Sequence, residues 1–399
     1  MVISDLKSAR KGVDKRAMAT LSAGHLFTDV NQGAVAALVP FLVVERDLSL
    51  TAAGLLVLAA TLSSSVVQPL FGYFSDRKPL PALMPLGVTL GGLGIALTGI
   101  TSSYSLILAS VLLSGLGVAA FHPESARFAN YVSGTQRARG MSFFSVGGNA
   151  GFALGPLIAT PFVLSFGLPG TLFLVFPASI MGLVLFHELP RLLSFRPETV
   201  KASDRSGAKA TEQWGPFVRM IGAVTVRSFV HFGLITFVAE YYVRVLGSST
   251  LLANTALSVM LFAGGVGTLI GGPLADRFGR RTVLAGSMLV LSPLIYAFTL
   301  SGPLTGMFFL ALVGAAMIGT FGVTVVMGQE YLPGRIGVAA GVTMGLSIGL
   351  GGVGAPIFGA LADAHGLPTM MLVACALPLV GLALTLSLPR TPKRHLSSV

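Results

Sequence analysis

Polar side chains interrupt the first long apolar run of the chain within the stretch GHLFTDVNQG at 24–33. His25 and Asp29 stand four positions apart, so a helix would place them on one face, with Gln32 about one turn further along. If the run crosses a bilayer, an Asp near its middle costs about 2.5–3.5 kcal/mol, which disfavours a lipid-facing position. The spacing therefore indicates a proton or substrate site in a water-filled cavity. A polar contact that fixes the helix to a neighbour is the alternative.

A second interruption, FHPESAR at 121–127, lies near one end of the fourth apolar run. Glu124 and Arg127 are three positions apart and can neutralise each other on one helical face, whereas His122 projects from a different face. Pro123 lacks an amide hydrogen, so a kink is expected there. We interpret Glu124 as a proton-coupling group and His122 and Arg127 as substrate contacts. A stabilising ion pair at the membrane rim is the alternative.

Arg227 and His231 lie one helical turn apart, about ten residues into the seventh apolar run. The positions 200 residues earlier hold Phe27 and Asn31, so this charge is not repeated in the other half of the chain. The planar guanidinium of Arg suits a phosphonate or carboxylate. We expect a substrate site here. The alternative is an ion pair between Arg227 and the acid of one of the two stretches described above, at position 29 or 124.

Three further polar groups within apolar runs are interpreted more simply. Asn149, in the fifth run, needs a partner if it is buried in lipid and is expected to contact substrate. Gln329 is expected to contact substrate and the adjacent Glu330 to belong to an inner gate. Glu240 stands four positions before Arg244, which is typical of an ion pair at a membrane rim.

A glycine- and arginine-rich stretch, GGPLADRFGRR at 271–281, has a degenerate copy, FGYFSDRKPLP, at 71–81. The same 200-residue offset relates Pro156 to Pro356, which indicates an internal duplication. The glycines of the second copy, Gly271 included, are expected to let the backbone turn tightly. We expect both copies to act as gating turns through Gly72, Asp76, Arg77, Gly272, Asp276, Arg277, Gly279, Arg280 and Arg281.

The composition is that of an integral membrane protein. Hydrophobic residues make up 53% of the 399 residues and charged residues 10%, with a mean hydropathy of +0.83, whereas soluble domains carry about 25% charged residues. The single Cys375 excludes an intramolecular disulfide and a multi-cysteine metal site. The net charge of +11 is not arranged as a basic patch interleaved with aromatics, so no nucleic acid partner is expected.

Twelve apolar spans of roughly 20 residues are predicted, in an all-α membrane protein with two six-helix repeats. The N-terminal bundle is expected at 1–188, a cytoplasmic linker at 189–215, and the C-terminal bundle with a short basic tail at 216–399. The predicted spans are 17–44, 51–74, 82–101, 103–132, 139–165, 169–188, 216–245, 251–274, 282–300, 304–331, 337–361 and 366–388.

Lysine and arginine are distributed very unevenly around these spans. All but three of the 26 fall on one side, at the N-terminus, the even-to-odd turns, the linker and the tail. Arg46 and Arg244 fall on the other side, and Arg227 lies within a span. Because positive charge marks the cytoplasmic side, both termini are expected in the cytoplasm.

Several of these motifs together resemble the fosmidomycin resistance protein family, drug-efflux members of the major facilitator superfamily. The resemblance rests on stretches in both halves of the chain. It implies export of a small polar drug coupled to proton entry, with the first, fourth, seventh and tenth spans lining the cavity. The stretches are GHLFTDVNQG, QPLFGYFSDR, FHPESARFANYVSGTQRARG, the GGN at 147–149 and GQEYLPGRIG.

The fifth span also carries GGNAGFALGP at 147–156, which is similar to the GxxxGP antiporter signature of proton-coupled exporters. Gly151, Gly155 and Pro156 match the signature, but the glycine pair that should follow is absent. Close helix packing through small residues explains the same glycines equally well. Both interpretations stay open.

The sequence therefore predicts a proton-coupled exporter of the inner membrane, which is not an enzyme, needs no cofactor or metal, and acts as a monomer. Asp29, which has only His25 as a local partner, is expected to be the main proton carrier, with Glu124 coupling it to substrate. Two rivals remain. One is a symporter that imports an organic anion, and the other is a divalent-metal carrier or intramembrane metalloenzyme built on His25, Asp29, His122 and Glu124.

Overall fold

A computed structural model describes residues 12–77, 80–195 and 212–389, apart from the side chains of 74–77, 138, 336–337, 340, 344 and 346–348. Within these residues the regular structure is helical. The helices are α1 Lys15–Glu45, α2 Leu50–Thr61, α3 Gln68–Arg77, α4 Leu83–Thr98, α5 Tyr104–Val132, α6 Arg137–Phe166, α7 Val175–Leu193, α8 Trp214–Arg244, α9 Thr250–Phe278, α10 Arg280–Thr299, α11 Pro303–Ile318, α12 Phe321–Tyr331, α13 Ile336–Gly341, α14 Ser347–Gly352, α15 Gly354–His365 and α16 Leu367–Leu386.

Ten helical segments among the described residues are long and apolar enough to cross a membrane. Of the other two predicted spans, 82–101 corresponds to the 16-residue apolar helix α4, and 337–361 falls on the short helices α13 to α15. The total of twelve spans stays a prediction. The ten segments are Lys15–Glu45, Leu50–Tyr73, Tyr104–Val132, Arg139–Phe166, Leu168–Leu193, Trp214–Arg244, Thr250–Phe278, Arg280–Thr299, Pro303–Tyr331 and Leu367–Leu386.

The chain divides into two compact units, Met1–Leu38 with Ala59–Arg205, and Val39–Leu58 with Ser206–Val399. In the first unit the described core is apolar, with Leu21 of α1, Phe121 and Phe128 of α5 and Leu185 of α7 almost completely buried. In the second unit Phe298 and Tyr242 are fully buried, and the Tyr242 hydroxyl donates to the Pro303 carbonyl at 2.8 Å. Most of α2 belongs to the second unit, although α1 begins in the first.

Helices α1 and α6 touch through glycine. A Cβ on Gly147 would collide with the Ser22 carbonyl, one on Gly151 with the Leu26 carbonyl, and one on Gly155 would lie 2.6 Å from the Gly33 carbonyl carbon. The three glycines recur every fourth residue and so form one stripe on α6. The stripe that resembles the antiporter signature is therefore a packing surface against α1.

The glycines of the 271–281 stretch correct our expectation of a tight turn. Helix α9 runs through Gly271 and ends only at Phe278, and Gly279 alone makes the turn, with φ +90°. A Cβ on Gly271 would collide with the Gly319 carbonyl, so that glycine allows close packing, whereas Gly272 faces open space. The prediction failed because consecutive glycines permit a turn without requiring one.

The amino end of α2 is capped from far along the chain. The Asp363 carboxylate accepts the amides of Leu50 and Thr51, each at 2.9 Å, and the Thr51 hydroxyl at 2.6 Å. The Ser49 hydroxyl accepts the amide of Ala52 at 3.1 Å. Three amides that a helix start leaves without intrahelical partners are thus satisfied, two of them by α15.

Candidate functional site

Three side chains from two helices of the first unit meet at one point inside the predicted membrane spans. His25 Nε2 of α1 lies 3.3 Å from Asp29 Oδ2, and His122 Nε2 of α5 lies 3.3 Å from Asp29 Oδ1. The two Nε2 atoms are 3.2 Å apart. His25 and Asp29 are each 9% exposed. We refer to these three residues as the triad.

The other ring nitrogen of each histidine is held by a backbone carbonyl. His25 Nδ1 lies 2.8 Å from the Phe144 oxygen of α6, and His122 Nδ1 lies 2.8 Å from the Val118 oxygen of α5. A carbonyl only accepts hydrogen bonds, so each Nδ1 carries the hydrogen. The Nε2 of a neutral ring is then a bare acceptor that faces the other histidine and the carboxylate.

The triad therefore concentrates acceptors that cannot bond to one another without an added hydrogen or cation. With both histidines neutral, two Nε2 lone pairs and the Asp29 oxygens face one another, and Asp29 Oδ1 accepts no hydrogen bond from any residue that the structure describes. One proton on either Nε2 creates an N–H donor to the other ring or to the carboxylate. Each of the three residues also offers one potential metal-ligating atom. These atoms lie within 4.8 Å of one another, a spacing that a metal ion could bridge.

Gly148 of α6 completes the wall of the triad. A Cβ at this position would collide with His25 Nε2 and lie 2.8 Å from Asp29 Oδ2. Only glycine leaves room for both side chains where α6 passes. Gly148 belongs to the GGN stretch that supported the family resemblance, but its contact with the triad could not be predicted from the sequence.

Glu124 and Arg127 form a separate pair at the other end of the same motif. Arg127 Nη1 lies 3.3 Å from Glu124 Oε1, which confirms the predicted pairing, and the Leu80 amide donates to the same oxygen at 3.0 Å. Glu124 is completely buried, and its Oε2 accepts no hydrogen bond within the described residues. Glu124 thus joins α5 to the segment that follows α3 and does not contact the triad.

Arg227 is buried in the second unit, and few groups around it compensate its positive charge. It is 3% exposed, its Nη1 donates to the Thr320 hydroxyl at 2.6 Å, and its guanidinium lies 6.0 Å from the centre of the Phe321 ring. No carboxylate pairs with it in the described part of this unit. His231, one turn along α8, is half-buried and stacks edge-on against Phe232.

The remaining predicted substrate contacts, Gln32, Asn149 and Gln329, are half-buried. None of the three amides makes a side-chain hydrogen bond within the described residues. They are therefore available to a ligand.

Two arginines of the second copy, among those predicted to act in gating, join helix ends. Arg280 Nη1 contacts both Glu330 oxygens, at 2.6 and 2.7 Å, and joins α10 to α12. Arg281 donates to the carbonyls of Thr385 and Leu386 at the end of α16, and Arg277 lies over the Phe278 ring at 5.2 Å. Asp276 is exposed. The side chains of Asp76 and Arg77 lie outside the described residues.

Comparison with known proteins gives a consistent family. The model of the Major Facilitator Superfamily matches residues 21–343 and 220–398. The chain is 31% identical over 380 residues to the fosmidomycin resistance protein of Escherichia coli (strain K12), covering 93% of this chain and 92% of that protein. It is 35% identical over 367 residues to the uncharacterized MFS-type transporter YfnC of Bacillus subtilis (strain 168), covering 90% and 89%.

Solved transporters share the fold. A bacterial homolog of the human lysosomal transporter Spinster, in an inward-facing and occupied conformation, superposes with a TM-score of 0.74 at 17% identity, covering 93% of this chain and 96% of that one. The nucleoside transporter NupG superposes with a TM-score of 0.74 at 13% identity, covering 93% and 99%. At these identities the likeness concerns the fold alone.

Proposed function

Because this chain belongs to the major facilitator superfamily and is a membrane transporter, we propose that it exports a small, polar, anionic drug or metabolite across the inner membrane in exchange for protons. Support for export of a drug comes from the fosmidomycin resistance protein, which is similar over nearly the full length of both chains. In this proposal the site is exposed alternately to the two sides of the membrane.

The triad is the observation that carries the proposal of proton coupling. Its carboxylate and two fixed-tautomer imidazoles lie within membrane-spanning helices and need a hydrogen to bond to one another. We assign to His122 a part in holding the proton, beside Asp29 and His25, in addition to the substrate contact expected from the sequence. Asp29 remains central to the coupling, because its carboxylate contacts both imidazoles and stabilises a proton on either Nε2. Glu124 couples proton binding to substrate when the substrate competes for Arg127.

Arg227 supports an anionic substrate. A buried guanidinium whose hydrogen-bond partner is a neutral hydroxyl retains uncompensated charge. A phosphonate or carboxylate would supply that charge, and its two oxygens match the planar fork of the guanidinium. His231, Gln32, Asn149 and Gln329 supply further polar contacts in this proposal.

The energy available from one proton suffices. One charge that crosses about 100 mV releases roughly 2.3 kcal/mol, and roughly 1.4 kcal/mol supports a tenfold concentration gradient. An exchange of one proton for one neutral solute could therefore hold a gradient near fiftyfold. Export of an anion moves a second charge in the favourable direction, so the limit for the proposed substrate is higher.

Substrate-induced proton release from purified protein in weakly buffered detergent tests the proposal, with fosmidomycin as the probe. Wild type should release protons on binding, and Asp29→Asn should bind the probe without release. Glu124→Gln should alter affinity and slow, but not abolish, the release. Glu240→Gln is the matched control, because Glu240 is an equally buried acid, paired with Arg244 at 2.7 Å, in another span. Full release from Asp29→Asn would contradict the assignment.

Transport direction and metal content separate the rivals. In right-side-out vesicles with external acid, an exporter coupled by antiport should expel the probe, whereas a symporter would accumulate it. Metal analysis of protein purified without a histidine tag should find no stoichiometric zinc, nickel, cobalt or iron. One metal per chain that is lost in His122→Gln would favour a metal carrier instead.

A further inference from the structure

An elongated apolar groove lies between α1 and α6 within the first unit. The cavity has a volume of about 650 Å³ and is walled by Met18, Ala19 and Leu26 of α1 and by Phe143, Val146 and Ala150 of α6. Among the described residues of its wall the one hydroxyl, that of Ser22, already donates to the Phe143 carbonyl at 3.3 Å. The groove thus offers no unsatisfied side-chain hydroxyl to a polar ligand, and its walls suit a hydrocarbon chain.

The mouth of the groove is chemically different from its walls. Lys15 and Arg139, both exposed, stand at the starts of α1 and α6, with the amide of Gln136 beside them. Neither cation pairs with a carboxylate in the described part of the chain, and the guanidinium of Arg139 lies 5.8 Å from the centre of the Phe143 ring.

Two neighbouring arginines on the same rim, unlike the cations at the mouth, are paired with carboxylates. Arg16 pairs with Glu188, and Arg191 pairs with Asp14 at 2.9 Å. The charges of these two arginines next to the groove are therefore neutralised. The two cations at its mouth have no carboxylate partner among the described residues.

The start of α6 adds a second attraction for an anion. Its capping position, Gln136, makes no side-chain hydrogen bond to the amides of the first turn. The start of α1 differs, because Asp14 accepts the Ala17 amide at 2.9 Å. The start of α6 also presents the positive end of its helix dipole to the mouth.

We propose that the α1–α6 groove binds one anionic phospholipid of the surrounding bilayer, with the phosphate at Lys15, Arg139 and the start of α6 and one acyl chain between Ala19, Phe143 and Val146. Basic pockets between membrane helices are established binding places for lipid head groups. Both walls belong to helices long and apolar enough to cross a membrane, and in this proposal the acyl chain enters the groove from the bilayer. This lipid site is independent of proton coupling and of the transported solute.

Native mass spectrometry of delipidated protein in detergent tests the proposal directly. On titration with phosphatidylglycerol or phosphatidylcholine, wild type should retain one phosphatidylglycerol in preference to phosphatidylcholine. Lys15→Gln and Arg139→Gln should each weaken retention about fivefold, as expected for one cation near an anionic lipid. The double variant should weaken it roughly 25-fold.

Two further variants distinguish the groove from general surface charge. Arg277→Gln is the matched control, because Arg277 is likewise exposed and stacked on a phenylalanine ring but lies in the other unit, and it should leave retention unchanged. Ala19→Trp should fill the groove and reduce retention while both cations remain. Equal retention of the two lipids, equal losses in Arg277→Gln and Arg139→Gln, or full retention in Ala19→Trp would overturn the proposal.

Discussion

Two backbone carbonyls determine what His25 and His122 can do. By holding each Nδ1 hydrogen, they turn both Nε2 atoms towards Asp29 and towards each other. The helical spacing of His25 and Asp29 predicted their contact correctly, and the spacing of Glu124 and Arg127 did the same. The sequence grouped His122 with His25 and Asp29 only in the rival metal-site interpretation, because their contact depends on how α1 and α5 are aligned. Periodicity within one helix contains no information about that alignment.

Gly148 should be intolerant of any side chain. Gly148→Ala introduces a Cβ against His25 Nε2 and Asp29 Oδ2, whose positions are fixed by their other contacts, so the triad must open. We expect substrate-induced proton release to fall strongly, with a smaller effect on probe binding. Gly286→Ala on α10 is the control, since a Cβ there meets nothing within 4 Å. Normal proton release from Gly148→Ala would show that the close approach of α6 is unimportant.

Arg227 should contribute to affinity for anions in particular. Arg227→Gln removes the charge but keeps a hydrogen-bond donor, so binding of a phosphonate should weaken by about 1.5–3 kcal/mol, the scale of a hydrogen bond to a charged group. Arg244→Gln, which removes a cation already paired with Glu240, should have little effect. Isothermal titration calorimetry on the three proteins measures the difference. Equal affinities of wild type and Arg227→Gln would make Arg227 a structural residue.

At the scale of helices, small residues determine how closely neighbours approach. The stripe of Gly147, Gly151 and Gly155 brings the backbones of α1 and α6 into contact and thereby carries Gly148 to the triad. Close packing and contact with the triad are therefore linked on α6. In contrast, the expectation of turns at Gly271 and Gly272 was wrong because α9 continues through both. A glycine pattern indicates close backbone approach more reliably than it indicates a turn.

Asp363 should stabilise the start of α2 over most of the pH range. Burial alone would raise the pKa of Asp363, but hydrogen bonds from the Thr51 hydroxyl and from the amides of Thr51 and Leu50, with the charge of Arg244, hold it below the ordinary value of 3.8. A lowered pKa means that the stabilisation is complete above the ordinary value and is lost only as the pH falls through the lowered one. The contribution should therefore be constant between about pH 6 and pH 8.

Thermal unfolding in detergent measures this contribution. Asp363→Ala should lower the free energy of unfolding by about 0.5–2 kcal/mol, the range for loss of a helix cap. The difference from wild type should be the same at pH 6 and pH 8 and should shrink only in strong acid. Glu45→Ala, which removes an exposed acid at the end of α1, should be close to neutral. A difference that disappears between pH 8 and pH 6 would contradict the pKa direction.

At the scale of the whole molecule, the repeat was the most predictable feature. The 71–81 and 271–281 stretches and the pair Pro156 and Pro356 share one offset, which indicated a duplication. The structure has helical segments of matching length in the two halves. The segments Lys15–Glu45 and Trp214–Arg244 each have 31 residues, and Tyr104–Val132 and Pro303–Tyr331 each have 29. The sequence did not reveal that the eleventh predicted span, 337–361, is broken into short helices, because its composition resembles that of the continuous spans. Hydropathy alone does not distinguish a broken helix from a continuous one.

The charge distribution predicts that both termini and the linker face the cytoplasm. With Cys375 replaced by serine, a cysteine at Ser206 should be protected from a membrane-impermeant thiol reagent in intact cells and become reactive after permeabilisation. A cysteine at Ser102, in an odd-to-even turn, should react in intact cells. Labelling of Ser206→Cys without permeabilisation would contradict the orientation.

The cap on α2 also has a consequence for the order of events during synthesis. Thr51 and its partner Asp363 are 312 residues apart. At about 5–20 residues per second, roughly 15–60 s pass between translation of the one and of the other. The start of α2 must therefore rely on water for two of its amides until the ribosome has made nearly the whole chain. A nascent chain arrested before residue 363 should leave this helix end open to hydrogen exchange, and completion of α15 should close it.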